Sequence, residues 1–251
     1  MMTELSRRKW IGAGITAGGL AVAAKLADQY GLVPPDGKGI YGPGATLSYA
    51  AHRLITSGSN ARELRRDQIS KTPYPNGKPP KDAIFKAEEE AGFANWKVSV
   101  GGMVERPVSY SLAELKTLAQ RSQITHLSCE EGWSYVAEWT GVPLGLILEK
   151  AGLQSGAKFV VYSSLAIRGA RYDSIDIDEA LHPQTLVTYG MNGKDLPVGH
   201  GGPLRMRVPR QLGYKSIKFM TGITVTDSVK GFGKGLGSSA ADAGYQWYAG
   251  I

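Results

Sequence analysis

The chain has 251 residues, 42% of them hydrophobic and 20% charged, with 33 glycines and a formal net charge of +7. That is enough for one large domain or two small ones, and the composition argues against a coiled coil or a disordered chain. No run of Lys or Arg is interleaved with aromatic residues, so a nucleic-acid partner is disfavoured, while a local basic pocket for an anion stays open.

At the N-terminus, Ser6-Arg7-Arg8-Lys9-Trp10-Ile11 precedes an apolar stretch, rich in Gly and Ala, that runs to Ala24. A charged start, a short hydrophobic run and a polar exit are the parts of an export signal. Paired arginines ahead of a weakly hydrophobic run resemble a twin-arginine signal, against the plainer reading of a basic amphipathic helix. Residues 1–27 are read as an export signal that is either removed, with Ala21-Val22-Ala23 as a loose cleavage match, or kept as a membrane anchor. This stretch carries four cations and one anion, so its loss leaves a net charge of +4.

Residues 28–50, with Pro34-Pro35 and several glycines, read as a linker or wrapping arm before a domain over residues 51–251. Asn60 to Ile69 is expected as a short helix among prolines. Trp96 to Val104 alternates as a half-buried strand. Ser111 opens a helix through a Ser-x-x-Glu capping box, with Leu112, Leu115 and Leu118 on one face. Ile124 to Ser128 reads as a strand ending at Cys129. A helix from Val142-Pro143-Leu144 stops at Gly152. Strands follow at Phe159–Ser163, Leu186–Tyr189, Leu204–Val208 and Ile217–Val225, with a helical turn at Asp178–Leu181. The aromatic end, Tyr245 to Tyr248, is expected to dock. Strands interspersed with short helices indicate an α+β fold with a mixed sheet.

Cys129 is the single cysteine, so neither an intramolecular disulfide nor a cysteine-based zinc site can form. A lone cysteine is usually a small buried hydrophobe. Cys129, however, leaves a strand into a loop containing Gly132, where a soft thiolate suits molybdenum, copper or iron–sulfur chemistry. His126, three residues earlier, falls on the opposite strand face, which disfavours a Cys-His nucleophilic pair.

The run Cys129-x-x-Gly-Trp133, then Trp139-Thr-Gly-Val-Pro-Leu, Gly201-Gly-Pro-Leu-Arg205-Met-Arg-Val-Pro209 and Gly213-Tyr-Lys-Ser-Ile-Lys218 resembles the sulfite-oxidase-fold family of molybdopterin-dependent oxidoreductases. The likeness covers about residues 50–251. It is strongest to small bacterial members, which include the molybdenum subunits of periplasmic methionine sulfoxide reductases. The resemblance implies a molybdopterin-binding domain of mixed α+β fold, with Cys129 as the molybdenum ligand. Arg62 and Glu63 fall where the family has a cofactor-contacting Tyr-Glu pair, and Ser163 or Ser164 near a pterin-contacting hydroxyl. His200 stands where many members carry Asn. Arg205 matches the family arginine, and Ser216, Ile217 and Lys218 match a stretch that grips the cofactor phosphate. Tyr172 lies where sulfite-oxidising members place an active-site tyrosine. Read without the resemblance, Arg205 is as well a surface ion-pair residue, His200 a loop residue and Tyr172 a half-buried strand tyrosine.

The implied reaction is oxygen-atom transfer at a molybdenum–molybdopterin centre, either sulfite oxidation or sulfoxide reduction. Arg168 and Arg171 suit an oxyanion substrate. The sequence has no haem-attachment Cys-x-x-Cys-His, so electrons are expected to pass to or from a haem protein, a membrane subunit or a cytochrome. The competing reading is a non-catalytic exported binding module that keeps the fold.

Overall fold

Apolar–polar alternation along Lys97–Gly102 (β1) buries Val98 and Val100 and turns Lys97 and Ser99 outward. A computed structural model describes residues 33–37, 42–56, 58–165 and 171–251. The export-signal reading of residues 1–27 and the position of Arg168 lie outside the described residues. The remaining strands are β2 (Val108–Ser111), β3 (Arg121–Ser128), β4 (Ser134–Pro143), β5 (Phe159–Ser164), β6 (Arg171–Asp176), β7 (Leu186–Met191), β8 (Lys194–Asp195), β9 (Arg205–Arg207) and β10 (Met220–Thr226). One sheet runs β2-β1-β10-β5-β6, and the other runs β3-β4-β7-β8 with β9 also on β7. The first sheet is mixed, because β1 and β10 are parallel while its other pairings are antiparallel. A single apolar cluster draws Val100, Val160 and Ile223 from one sheet and Val142, Val187 and Met206 from the other. The two sheets therefore share one core, and the fold is the α+β class expected.

Local signals account for the helices that join them. Ser111 accepts a hydrogen bond from the Glu114 amide at 3.2 Å, and Glu114 returns one from the Ser111 amide at 2.7 Å. That reciprocal cap starts the helix Leu112–Thr117, which buries Leu115. The helix Leu144–Ala151 buries Leu144, Ile147 and Leu148, and it ends where Gly152 takes a left-handed conformation at φ 76°.

Three expectations differ from the structure. Within Asn60–Ile69 there is only a 3₁₀ turn at Arg66–Gln68. The Leu64 amide bonds to the Ile124 carbonyl at 2.8 Å and Glu63 bridges Thr125, so the backbone is committed to the edge of β3 and unavailable to a helix. The stretch read as a linker contains the start of the helix Gly42–Thr56 (α1). Its Tyr49 hydroxyl donates to Asp176 Oδ2 at 2.9 Å, which anchors the helix across the chain. The last strand begins at Met220 rather than Ile217, because the 3₁₀ turn at Gly213–Lys215 and the positive φ of Phe219 hold residues 216–219 out of the sheet.

The aromatic end does dock. Trp247 is 1% exposed, lies edge-on to Tyr49 and Phe159, and donates from Nε1 to Ser174 Oγ at 2.8 Å. Beneath it the buried Lys215 ammonium sits 5.0 Å from the Trp247 ring and 2.5 Å from Asp173 Oδ1. Trp247→Ala should cost about 3–5 kcal/mol in urea unfolding, the usual loss for a buried aromatic. A change below about 1 kcal/mol would mean that the end merely rests on the surface.

Candidate functional site

Strand alternation turns Gln123, Thr125 and Leu127 of β3 inward and His126 outward. His126 Nδ1 lies 3.2 Å from Ser128 Oγ, away from the cysteine. β3 and β4 form an antiparallel hairpin whose last pair is Ser128 with Ser134. Between them, the Cys129 amide donates to the Trp133 carbonyl at 2.9 Å and the Gly132 amide to the Cys129 carbonyl at 3.1 Å. Gly132 closes this loop at φ 88°, a conformation that side chains resist. The loop delivers Cys129, 9% exposed, to the wall of a cavity of about 480 Å³.

The cavity gathers several of the residues read from the sequence. Cys129, Ser164, Arg171, Arg205, Ser216, Ile217 and Lys218 all line it. Gly213 makes this convergence sterically possible: a Cβ there would meet Leu127 and the Ser128 carbonyl at 3.2 Å. The segment after Gly213 can thus lie directly against the cysteine hairpin. Gly201 serves likewise, since a Cβ there would strike the Lys218 side chain at 2.7 Å. Arg205 is 3% exposed; its Nη1 donates to the His200 carbonyl at 2.8 Å and its Nη2 to the Ser216 carbonyl at 2.7 Å. Its Nε has no partner among the described residues. Lys218 Nζ donates to the carbonyls of Asn76 and Gly199, each at 2.5 Å.

Other sequence-derived positions lie elsewhere. Arg62 and Glu63 are exposed and do not line the cavity; Glu63 accepts from Arg121 and, at 3.1 Å, from Gln184. Ser163, on the strand face opposite Ser164, packs under Gly222 instead. His200 is buried behind the wall with Nδ1 3.3 Å from the Tyr135 hydroxyl. Tyr172 does not line the cavity: its hydroxyl donates to Asp242 Oδ2 at 2.8 Å and lies 3.0 Å from the Phe232 carbonyl, which fastens the Gly-rich tail.

Sequence reasoning missed the aromatic mouth. Tyr74 meets Trp133 edge-on at 5.1 Å, and Trp133 lies parallel to Tyr135 at 6.0 Å. Trp133 Nε1 and Asn76 Nδ2 both donate to Glu131 Oε2, at 2.8 and 3.1 Å. Tyr74, Asn76 and Lys78 come from an irregular Pro-rich stretch with no periodicity to mark them.

Burial governs the electrostatics. It pushes the Cys129 thiol up to about 11, with Glu130 adding to the rise and a backbone hydrogen bond from Glu131 opposing it. It lowers the Arg205 guanidinium, and it pulls Lys218 down to about 8 with help from Arg205 and Arg171. It also pulls His200 down to about 4, with Arg205 and Lys218 adding repulsion. Among the described residues neither Arg205 nor Lys218 forms an ion pair with a carboxylate. The cavity wall thus sets Lys78, Arg171, Arg205 and Lys218 against a single carboxylate, Glu130, and is net cationic.

The sequence profile of the oxidoreductase molybdopterin binding domain matches residues 85–231. The chain is 43% identical over 157 residues to the protein-methionine-sulfoxide reductase catalytic subunit MsrP of Xanthomonas axonopodis pv. citri, covering 57% of this chain and 49% of that one. It is 33% identical over 171 residues to the MsrP of Campylobacter jejuni, covering 62% of this chain and 57% of the relative. The chain thus spans about half the length of these curated relatives. Among solved structures, the sulfane dehydrogenase SoxCD from Paracoccus pantotrophus shares the fold with a TM-score of 0.50 and 19% identity, over 54% of this chain and 39% of that one.

His200 makes stability sensitive to acid. Its pKa falls from 6.5 unfolded to about 4 folded, so between those values the unfolded chain holds the extra proton. Stability is then intact above about pH 6.5 and declines as pH drops towards 4, by at most ~3 kcal/mol from this side chain. His200→Asn should shrink the difference between urea unfolding free energies at about pH 7 and about pH 4.5, measured without bound ligand. His182, also held down to about 4, leaves a residual slope. An undiminished difference in the variant would mean that His200 is not the neutral imidazole described.

Proposed function

Because the chain belongs to the oxidoreductase molybdopterin binding domain family, we propose that it is the molybdenum-binding part of an exported enzyme that reduces a sulfoxide. The observation that carries this reading is one cavity in which Cys129, the single cysteine of the chain, meets Ser164, Arg205, Ser216, Ile217 and Lys218.

These residues fit such a cofactor. A cavity of about 480 Å³ is of ligand size. The Arg205 guanidinium and the neighbouring Lys218 ammonium on the cavity wall suit a phosphate dianion, one as a planar cation and the other as a point charge. Among the described residues no group of three or more His, Cys, Asp or Glu side chains is placed to hold a metal alone. In this reading Cys129 acts with sulfur donors that the cofactor brings. When bound, the cofactor supplies a two-electron redox couple and oxygen-atom exchange.

In this reading the chain's own groups divide the work. Cys129 ligates through its thiolate, whose proton must leave on binding. Arg205, Lys218 and the backbone of residues 216–218 would hold the phosphate end, and the Ser164 hydroxyl, which donates to the Leu165 carbonyl, would accept a hydrogen bond from the pterin. His200 orients Tyr135, and the Tyr74–Trp133–Tyr135 aromatics shield the mouth from water and offer a soft surface to sulfur. Overall, a sulfoxide, two protons and two electrons become a thioether and water, the electrons coming from a haem protein. The names of the relatives support the sulfoxide. Arg171 and Lys78 at the wall favour a second reading, oxidation of an oxyanion such as sulfite. The Arg7-Arg8 pair supports export through the twin-arginine route to the periplasm.

Elemental analysis of protein from a molybdopterin-competent host should find near-stoichiometric molybdenum, lost in Cys129→Ala with the fold retained. Wild-type protein without molybdenum would sink the proposal, and sulfite turnover in place of sulfoxide turnover would select the second reading. Arg7→Lys combined with Arg8→Lys should leave the protein in the cytoplasm on cell fractionation; normal export would remove the twin-arginine assignment.

A further inference from the structure

Arg207 is fully buried at 0% exposure on β9, yet among the described residues it forms no ion pair. Its Nη2 donates to Thr125 Oγ1 at 3.2 Å and to the His126 carbonyl, while Nε and Nη1 have no partner among the described residues. The guanidinium lies 5.4 Å from the ring of Trp139, and that of Arg205 lies 5.2 Å from the same ring. Trp139 itself is completely buried. A cation–π contact recovers only part of what burying an unpaired charge costs. Burial and the nearby Arg205 hold the Arg207 guanidinium down to about 9, the mark of a charge the protein alone does not compensate.

Holding two acceptors on β3 does not by itself require a cation. Two placements indicate what does. Arg205, which lines the cavity, is equally without a carboxylate and flanks the same indole, so the missing counter-charge is shared. The His126 carbonyl that Arg207 grips lies three residues before Cys129 on the strand that delivers the thiol.

We propose that Arg207 is a positioning residue for the anionic cofactor: it fixes the end of β3 that carries Cys129, and its charge is balanced only when the cofactor's negative charge occupies the cavity. This inference rests on the molybdopterin reading above. Its consequence is a change of sign. In the cofactor-free protein Arg207 is a net cost, as unpaired buried cations are. In the loaded protein it is a net gain, and binding energy that would otherwise appear as stability is linked to the presence of this side chain.

The test compares wild type, Arg207→Met and Arg207→Lys, each prepared loaded from a molybdopterin-competent host and cofactor-free from a host unable to make it. Cofactor-free Arg207→Met should melt at the wild-type temperature or higher, while the rise in Tm on loading shrinks. Loaded Arg207→Met should lose molybdenum about tenfold faster on dilution, and Arg207→Lys, which keeps the charge, should recover much of that difference. An equal fall in Tm for Arg207→Met in both forms would show a purely structural arginine and overturn the proposal. Molybdenum retention equal to wild type would also overturn it. Both of those outcomes leave the functional reading standing, whereas wild-type protein that takes up no molybdenum brings both down.

Discussion

Positive charge held in the interior without negative charge is the constraint on which this molecule turns. Arg205 and Arg207 flank a buried tryptophan, and Lys218 spends its ammonium on two backbone carbonyls. Side-chain carboxylates are not scarce elsewhere inside the protein: Lys215 finds Asp173, and Arg210 finds Glu179. Among the described residues Arg205, Arg207 and Lys218 form no such ion pair. Burial depresses each of them, because the charged form loses its hydration inside the protein.

The geometry that gathers those charges depends on close backbone approach. β9 is only three residues long and pairs with β7 on one side, while Arg205 bridges to Lys218 on the other. The Met206 amide bonds to the Ile217 carbonyl at 3.0 Å, so the arginine strand and the lysine segment are stitched together as a unit. Gly201 lets the turn before β9 press against Lys218, and Gly213 lets the chain just before the lysine segment press against the cysteine hairpin. Cys129 stands 76 positions before Arg205 in sequence, and it meets the arginine and lysine segments where Gly201 and Gly213 remove side-chain bulk.

The regular part of the fold was readable from local chemistry. The Ser111 cap, the Gly152 stop and the alternation around Val98 and Val100 each act within a few residues, and each appears where the sequence puts it. What depended on long-range pairing was not readable. Asn60 to Ile69 has helix-forming residues, but β3 claims their backbone. Ser163 and Ser164 differ only in which strand face they occupy, and that is set by β6 and β10 as neighbours. Tyr172 sits one residue from the cavity-lining Arg171 and points the other way for the same reason. Arg207 was invisible as anything special, because an arginine in a short strand reads as solvent-facing until both faces of the strand prove buried.

The wall of the cavity is also tied to the far end of the chain. The segment from Gln211 to Ser216 is held by the Leu212 amide on the Ala249 carbonyl, by the Gln211–Gly250 bridge and by Lys215 beneath Trp247. Those fastenings come more than 30 positions later in the order of synthesis. A nascent chain that has already made its cysteine, its arginines and its lysine still lacks the residues that hold them in register. Timing is therefore written into the topology: the segment from Gln211 to Ser216, which carries part of the cavity wall, gains its last fastenings only after residues 247–250 have been made.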